Sequence, residues 1–516
     1  MATKTRPKRG RNRKPPAASR DGAGDALPRA LPWQGAAALV FVAAGAVLML
    51  EILAVRLLAP YVGLTLETTT AIIGAALAGI AGGAAIGGYL ADRADTRRLV
   101  VWLLVAGGLL TLLTVPVVRW LGPGARGEGE FAALGITFLA LVPAALVLSA
   151  VSPAVAHLQL HNLSKSGTVV GRLSAWGTAG ALVGTFGTGF VLVPLVSVST
   201  AVIGIGAVLV IAGVVLGTWG RLMTLAGAGA AVLALLVLGG WSSGLSSPCL
   251  AETEYHCVAL ATDPSNPDGY ELELDDIHHS YVDLEDPTHL VYAYTKWIAK
   301  AIDVVNPAKK PLDAVFVGGG GFTLPRWLEA TRPGSKSLVL EVDKELVEFD
   351  EEHLGLRQTA NLRAITGDAR VSMLDVPSHS ADFVDGDAFG TYSVPWHLAT
   401  SEWADEVKRV LKPGGLYTLN VIDLPPLSLL KAAAATLRDR FRYVRIVTFG
   451  ALERPYGGNA VVLSSDRPIP AAAGTEDEDE DEEVTTLGYR EVTEFTAGAP
   501  DLSDDYAPTD QFLTTP

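Results

Sequence analysis

The chain has 516 residues, 49% hydrophobic and 18% charged, with a mean hydropathy of +0.32. That is too apolar for one ordinary soluble enzyme and too long for a single compact domain. Residues 1–248 hold 18 Lys/Arg against 8 Asp/Glu, and residues 249–516 hold 22 against 47. A mildly basic, apolar half joined to an acidic half of mixed composition implies a membrane domain fused to a soluble one. The acidic half makes nucleic acid an unsuitable partner, because phosphate contacts need clustered Lys and Arg. Two cysteines exclude both a disulfide framework and a Cys-based metal site.

Residues 1–32 carry nine Lys/Arg against two Asp and lack the apolar content of a core, so they read as a disordered tail. Seven apolar segments follow, at about 36–58, 68–91, 99–118, 131–152, 172–195, 199–218 and 222–240. Each approaches or exceeds the ~20 residues a helix needs to cross hydrocarbon. They imply a multi-pass membrane domain over 33–245, in contact with lipid. Arg93, Arg97, Arg98, Lys165, Arg172 and Arg221 fall in alternate loops, so the positive-inside rule sets the N-terminus in the cytoplasm. The alternative for the basic tail, a nucleic-acid arm, is the weaker reading beside a span.

Gly79, Gly83 and Gly87 form a GxxxGxxxG face, and Gly177, Gly180, Gly184 and Thr188 line another helix; such stripes let helices pack closely in lipid. Glu51 and Arg56 are charges inside the first span. Arg56 is expected to snorkel, and Glu51 to pair with a neighbouring helix or mark a transport path. GGYLADR (87–93) and the segment 171–194 resemble parts of major-facilitator-type transporters, and this supports helical architecture.

From Tyr270 the pattern becomes short strands and amphipathic helices. LDAVFVGGGGFTLPRWLEA (312–330) reads as strand, glycine loop and helix. KSLVLEVDKELVEFDEE (336–352) gives a second strand ending at Glu341, and LRAITGDARVSML (362–374) a third, running into Asp368. ADFVDGDAF (381–389) gives a fourth ending near Asp387, and SEWADEVKRVLKPGGLYTLNVI (401–422) a helix, a turn and a fifth strand. Alternation of this kind implies a mostly parallel, doubly wound α/β sheet of Rossmann type. Ligands bind such sheets outside the carboxyl ends of the strands. Gly318, Gly319, Gly320, Glu341, Asp368 and Asp387 all fall there. Glycines admit a ligand close to the backbone, and Glu341 suits ribose hydroxyls. Singly, Glu341 is also an ordinary helix-start acid and Asp368 an N-cap; together they favour a nucleoside-type ligand. GGGGFT lacks the GxGxxG spacing of a dinucleotide site.

VGGGGFT (317–323), LEVD (340–343), TGDA (366–369), GDAF (386–389) and LKPGG (411–415) resemble the spermidine-synthase family. LELDDIHHSY (272–281) is similar to that family's small N-terminal β-element. The likeness runs over about 255–466, and with the preceding spans it resembles fused, multi-pass bacterial forms of the family. It implies a catalytic domain over 250–470 that transfers an aminopropyl group from decarboxylated S-adenosylmethionine, a co-substrate, to a polyamine such as putrescine. No permanently bound cofactor and no metal are implied, and a homodimer is compatible. Residue by residue, the resemblance makes Glu341 the ribose acid, Asp368 and Ala369 the adenine-side pair, and Asp387 the acid that takes a proton from the attacking amine. The glycine loop and His279 join the donor site; His289 and Tyr456 join the amine site.

Departures from the pattern keep other readings open. Gly321 stands where the family has an acid. The amine-site pair falls on Thr288 and His289, and a later tyrosine falls near Arg454. An adenosylmethionine-dependent methyltransferase, and a non-catalytic nucleoside- or polyamine-binding or transport component, are the alternatives. His278 and His279, adjacent on a strand, point to opposite faces and cannot share a metal. Seven spans place the soluble half outside, where Cys249 and Cys257 can pair or remain two small apolar residues. That placement sits against a donor made in the cytoplasm. Residues 471–516, with eight consecutive acids from Glu476 to Glu483, read as a disordered acidic tail.

Overall fold

The computed structural model describes residues 31–62, 66–125, 130–160, 166–275, 277–389, 394–449, 458–474 and 484–513. The basic tail up to residue 30, Lys165, the acidic run Glu476–Glu483, Arg454 and Tyr456 lie outside the described residues.

The first half is helical. α1 (Trp33–Val62), α2 (Leu66–Ala91), α3 (Thr96–Leu121), α4 (Glu130–Ala140), α5 (Val142–Ser149), α6 (Val151–Gln159), α7 (Ser166–Gly187), α8 (Val198–Trp219) and α9 (Leu225–Gly244) follow in order. Among the described residues they supply seven helical stretches long and apolar enough to cross a membrane. The fourth crossing, expected at 131–152, runs instead over Val142–Gln159. Pro143 and Pro153 stand at the starts of α5 and α6, where a missing N–H interrupts the helical ladder, so the chain breaks into three short helices.

The small-residue stripes do what their composition requires. A Cβ on Gly180 would run into the Phe41 carbonyl oxygen, and one on Gly45 would sit 2.9 Å from the Gly180 oxygen; only glycine lets α1 and α7 touch backbone to backbone. The Thr188 hydroxyl donates to the Gly184 carbonyl at 2.7 Å. Glu51 Oε2 is buried and has no hydrogen-bond partner among the described residues.

The soluble half opens with a four-stranded antiparallel sheet, β1 (Ala251–Glu252), β2 (Cys257–Thr262), β3 (Gly269–Leu274) and β4 (Ile277–Asp283). Cys249 and Cys257 form a disulfide that ties the exit of α9 to β2. The larger sheet uses β5 (Asp313–Val317), β6 (Lys336–Glu341), β7 (Leu362–Thr366), β8 (Ala381–Gly386), β9 (Leu411–Asp423), β10 (Tyr443–Phe449), β11 (Gly458–Ser465) and β12 (Val484–Leu487). Its order is β12-β10-β11-β9-β8-β5-β6-β7. The five strands from β9 to β7 are parallel, as expected. β11, β10 and β12 extend them antiparallel.

α10 (Ala293–Val305), α11 (Thr323–Thr331), α12 (Lys344–His353), α13 (Ala369–Ser372), α14 (Ser401–Val410), α15 (Ser428–Arg440), α16 (Tyr489–Phe495) and α17 (Thr509–Phe512) complete the chain. α10 and α11 bury Trp297, Ile298, Trp327 and Leu328 on one face of the sheet. α14 and α15 bury Trp403, Val407, Leu430 and Leu437 on the other. The expected tail needs correction over 484–513. Val484–Leu487 pairs with β10, Val492 and Leu502 enter the core, and Asp504 bonds Arg370 at 2.8 Å. The apolar residues beyond the acidic run are few; Val492 and Leu502 are fully buried, and Leu487, Phe495, Phe512 and Leu513 pack partly buried against the core.

Candidate active site

Chain order reverses between β5 and β8, which opens a crevice at their carboxyl ends. A cavity of about 1000 Å³ lies there, lined by Gly318, Gly319, Gly320, Glu341, Asp368, Ala369, Asp387 and His279 among others. The candidate nucleoside-side residues, scattered between positions 279 and 387, therefore share one wall system.

The loop after β5 has φ of +95° at Gly318 and +47° at Gly320, values a side chain would strain. A Cβ on Gly318 would also collide with the Asp387 carbonyl oxygen. Glu341 ends β6 and is 6% exposed. Its Oε2 accepts from the Gly319 N–H at 2.6 Å and its Oε1 from the Asp343 N–H at 2.9 Å. Burial pushes this carboxyl upward, and the two backbone donors oppose the shift. Each oxygen keeps a lone pair for a further donor such as a diol hydroxyl.

Asp368 is both an N-cap and a wall of the cavity. It accepts from the Arg370 and Val371 N–H groups at 2.7 and 3.3 Å and meets His397 Nε2 at 3.2 Å. Asp387 follows β8 and accepts from Asn420 Nδ2 at 2.8 Å, while Asn420 Oδ1 accepts from Asn459 at 3.0 Å. The Tyr294 hydroxyl also bonds it. Burial raises the Asp387 carboxyl, with the Asn420 and Tyr294 bonds opposing. Deeper in the strand, Asp385 is 2% exposed and is pushed well above the usual carboxylate range by burial and by Asp387. Two neighbouring acids in a half-dry site are a proton-handling arrangement.

His279 enters from β4. Burial lowers its imidazole to about 4, with His256 adding to the effect, so the ring stays neutral near pH 7. Its Nε2 is buried with no hydrogen-bond partner among the described residues, while the residue lines the cavity. His256, whose ring centre is 6.3 Å away, is shifted the other way. Burial opposes its charge, but the bond to Asp275 at 3.0 Å raises it.

His289 is not brought to this cavity. It bonds Asp283 at 2.9 Å and abuts the Tyr281 ring. Tyr292 and Tyr294, three and five residues on, line the cavity instead, their rings 6.2 Å apart. They lie at the start of α10, where an amphipathic helix hides them as ordinary core. Asn420 left a trace, a lone amide in the apolar run YTLNVI; Asn459, at the edge of the next strand, left less. Gly321 is closed to any side chain, since a Cβ there would come 2.6 Å from Val282 Cγ2.

No protein-family model matches the chain. Among solved structures, a probable spermidine synthase from Corynebacterium glutamicum ATCC 13032 superposes with a TM-score of 0.47 at 24% identity, over 52% of this chain and all of that one. Spermidine synthase from Thermotoga maritima gives 0.33 at 16%, over 51% and 86%. A polyamine aminopropyltransferase of Vibrio vulnificus (strain CMCP6) is 30% identical over 168 residues, 32% of this chain. The similarity in sequence to that aminopropyltransferase covers 168 residues of the chain. The chain spans about half the length of that curated relative, 53%.

Proposed function

We propose that the chain is a membrane-attached aminopropyltransferase, with decarboxylated S-adenosylmethionine as donor and a polyamine as acceptor. The observation that carries this reading is Asp387: a carboxylate raised by burial, held by Asn420 and Tyr294, across a glycine loop from Glu341. The donor's ribose is held by Glu341 and its adenine lies toward Asp368 and Ala369. The acceptor enters past Tyr292 and Tyr294, whose faces suit a cation. Asp387 takes a proton from the acceptor ammonium. The freed nitrogen lone pair attacks the methylene carbon beside the sulfonium. The C–S bond breaks, its electrons stay on sulfur, and a neutral thioether nucleoside leaves. The protein's part is orientation and proton transfer, because the sulfonium supplies the leaving group.

Residues 33–245 form the membrane domain of this reading, and the catalytic unit starts near 250 and extends through the docked segment to 513. The N-terminus lies inside and the soluble half outside, which the basic ends of alternate helices support. Incubating the full chain in detergent with decarboxylated S-adenosylmethionine and putrescine tests the activity. Spermidine and 5′-methylthioadenosine in equal amounts, read by mass spectrometry, are expected. A methylated amine formed from ordinary S-adenosylmethionine would replace this reading with a methyltransferase, and no product from either donor would leave a binding component.

A further inference from the structure

Arg56 ends on protein carbonyls, where a snorkelling side chain near a span's end would reach only solvent or headgroups. Its Nη2 donates to the Thr253 carbonyl at 2.5 Å and its Nη1 to the Glu254 carbonyl. The partners lie almost two hundred residues away, in the turn between β1 and β2 of the soluble half. A second apolar helix holds the strand that enters this turn: Glu252, the last residue of β1, accepts from the Val198 N–H at the start of α8, at 2.6 Å.

The turn leads directly to the candidate site. Thr253 is 3% exposed, and its hydroxyl donates to Asp343 Oδ2. Asp343, fully buried, caps α12 through its other oxygen and donates its own N–H to Glu341 Oε1. One unbroken series of hydrogen bonds therefore joins a membrane helix to the ribose acid. The same turn also carries Tyr255 and His256, which line the cavity.

We infer that Arg56 is a positioning residue for the nucleoside site, so that ligand affinity in the soluble half depends on how α1 holds the Thr253–His256 turn. This rests on the nucleoside reading of Glu341. The fork of a guanidinium can hold two adjacent carbonyls at fixed spacing, which a single ammonium cannot. Thr253, Asp343 and Glu341 are buried, so a shift imposed on Thr253 passes inward because these members have no water to turn to.

The test is calorimetric titration of 5′-methylthioadenosine into the full chain in lipid nanodiscs, with Arg56→Ala, Arg56→Lys, Thr253→Val, the Arg56→Ala/Thr253→Val pair and Glu341→Gln. Arg56→Ala is expected to weaken binding within the roughly 5- to 150-fold range of coupled sites, with Arg56→Lys in between. The thermal midpoint of the soluble half should not track those losses. Residues acting in one series lose less together than the product of their separate losses. Wild-type binding left unchanged by both Arg56 variants overturns the inference while leaving the nucleoside reading in place. Fully multiplicative losses overturn the relay. If the wild-type chain does not bind and Glu341→Gln changes nothing, the nucleoside reading fails, and this inference with it.

Discussion

The two halves of this chain are specified by opposite kinds of residue. In the membrane half the decisive positions carry almost no side chain: Gly45, Gly180 and Gly184 set how near α1 and α7 approach. In the soluble half they carry carboxyl groups held largely out of water, as at Glu341, Asp385 and Asp387. Lipid gives no hydrophobic drive between helices, so close contact must supply the energy. Water gives that drive to the sheet without special residues, leaving its strand ends free to hold acids at a cost in stability. Packing therefore dictates the first half, and chemistry is written on the second.

The sharpest break in that comparison is Asp387→Asn. If chemistry resides there, turnover should fall roughly 10²- to 10⁴-fold while nucleoside binding persists, as read by product formation beside calorimetry. Next comes Glu341→Gln, which replaces an anionic acceptor with a neutral amide. Donor affinity should weaken roughly 10- to 100-fold, with less effect on the acceptor's KM. In the membrane half, Gly180→Leu should cost about 1–3 kcal/mol through overpacking, seen as a lower melting midpoint in detergent. The affinity of a chain that still folds should change less than in Glu341→Gln.

A separate expected effect is on pH dependence. Burial raises Asp423 to about 6, against hydrogen bonds from backbone N–H groups at the start of α15. Its folded form holds a proton more tightly than the unfolded chain, where the ordinary value is near 3.8. Stability from this group therefore falls as pH rises from about 4 to 6 and is level above that. Asp423→Asn should flatten that slope in melting curves taken across the range.

Much of this was legible because each element carried a local sign. Glycine stripes at helical spacing announced the helix contacts, and Glu341, Asp368 and Asp387 stood at the ends of apolar runs where a parallel sheet exposes its ligands. What escaped had its partner far away or looked like core. Tyr294 sits on the apolar side of α10 and is buried like its neighbours, so only the crevice beside it reveals a role. His289 matched by adjacency in sequence, yet the loop before α10 turns it toward Asp283. Arg56 resembled a snorkelling side chain because its acceptors come from a strand turn in the other half. Val484–Leu487 is four residues long, and nothing local signals that it adds to β10.

The orientation has its own check in the cysteines. If the soluble half faces outward, as proposed, Cys249 and Cys257 should resist alkylation in intact cells until a reductant is added, because an oxidising compartment preserves the disulfide. Free thiols in the untreated cell would put that half inside and alter the span count.

The central claim is that the strand-end crevice holds a nucleoside sulfonium donor, and its most direct test is titration of the full chain in detergent with decarboxylated and ordinary S-adenosylmethionine. Preferential binding of the decarboxylated form, weakened by Glu341→Gln, is the predicted result. Binding of neither donor, or binding indifferent to Glu341, would contradict it.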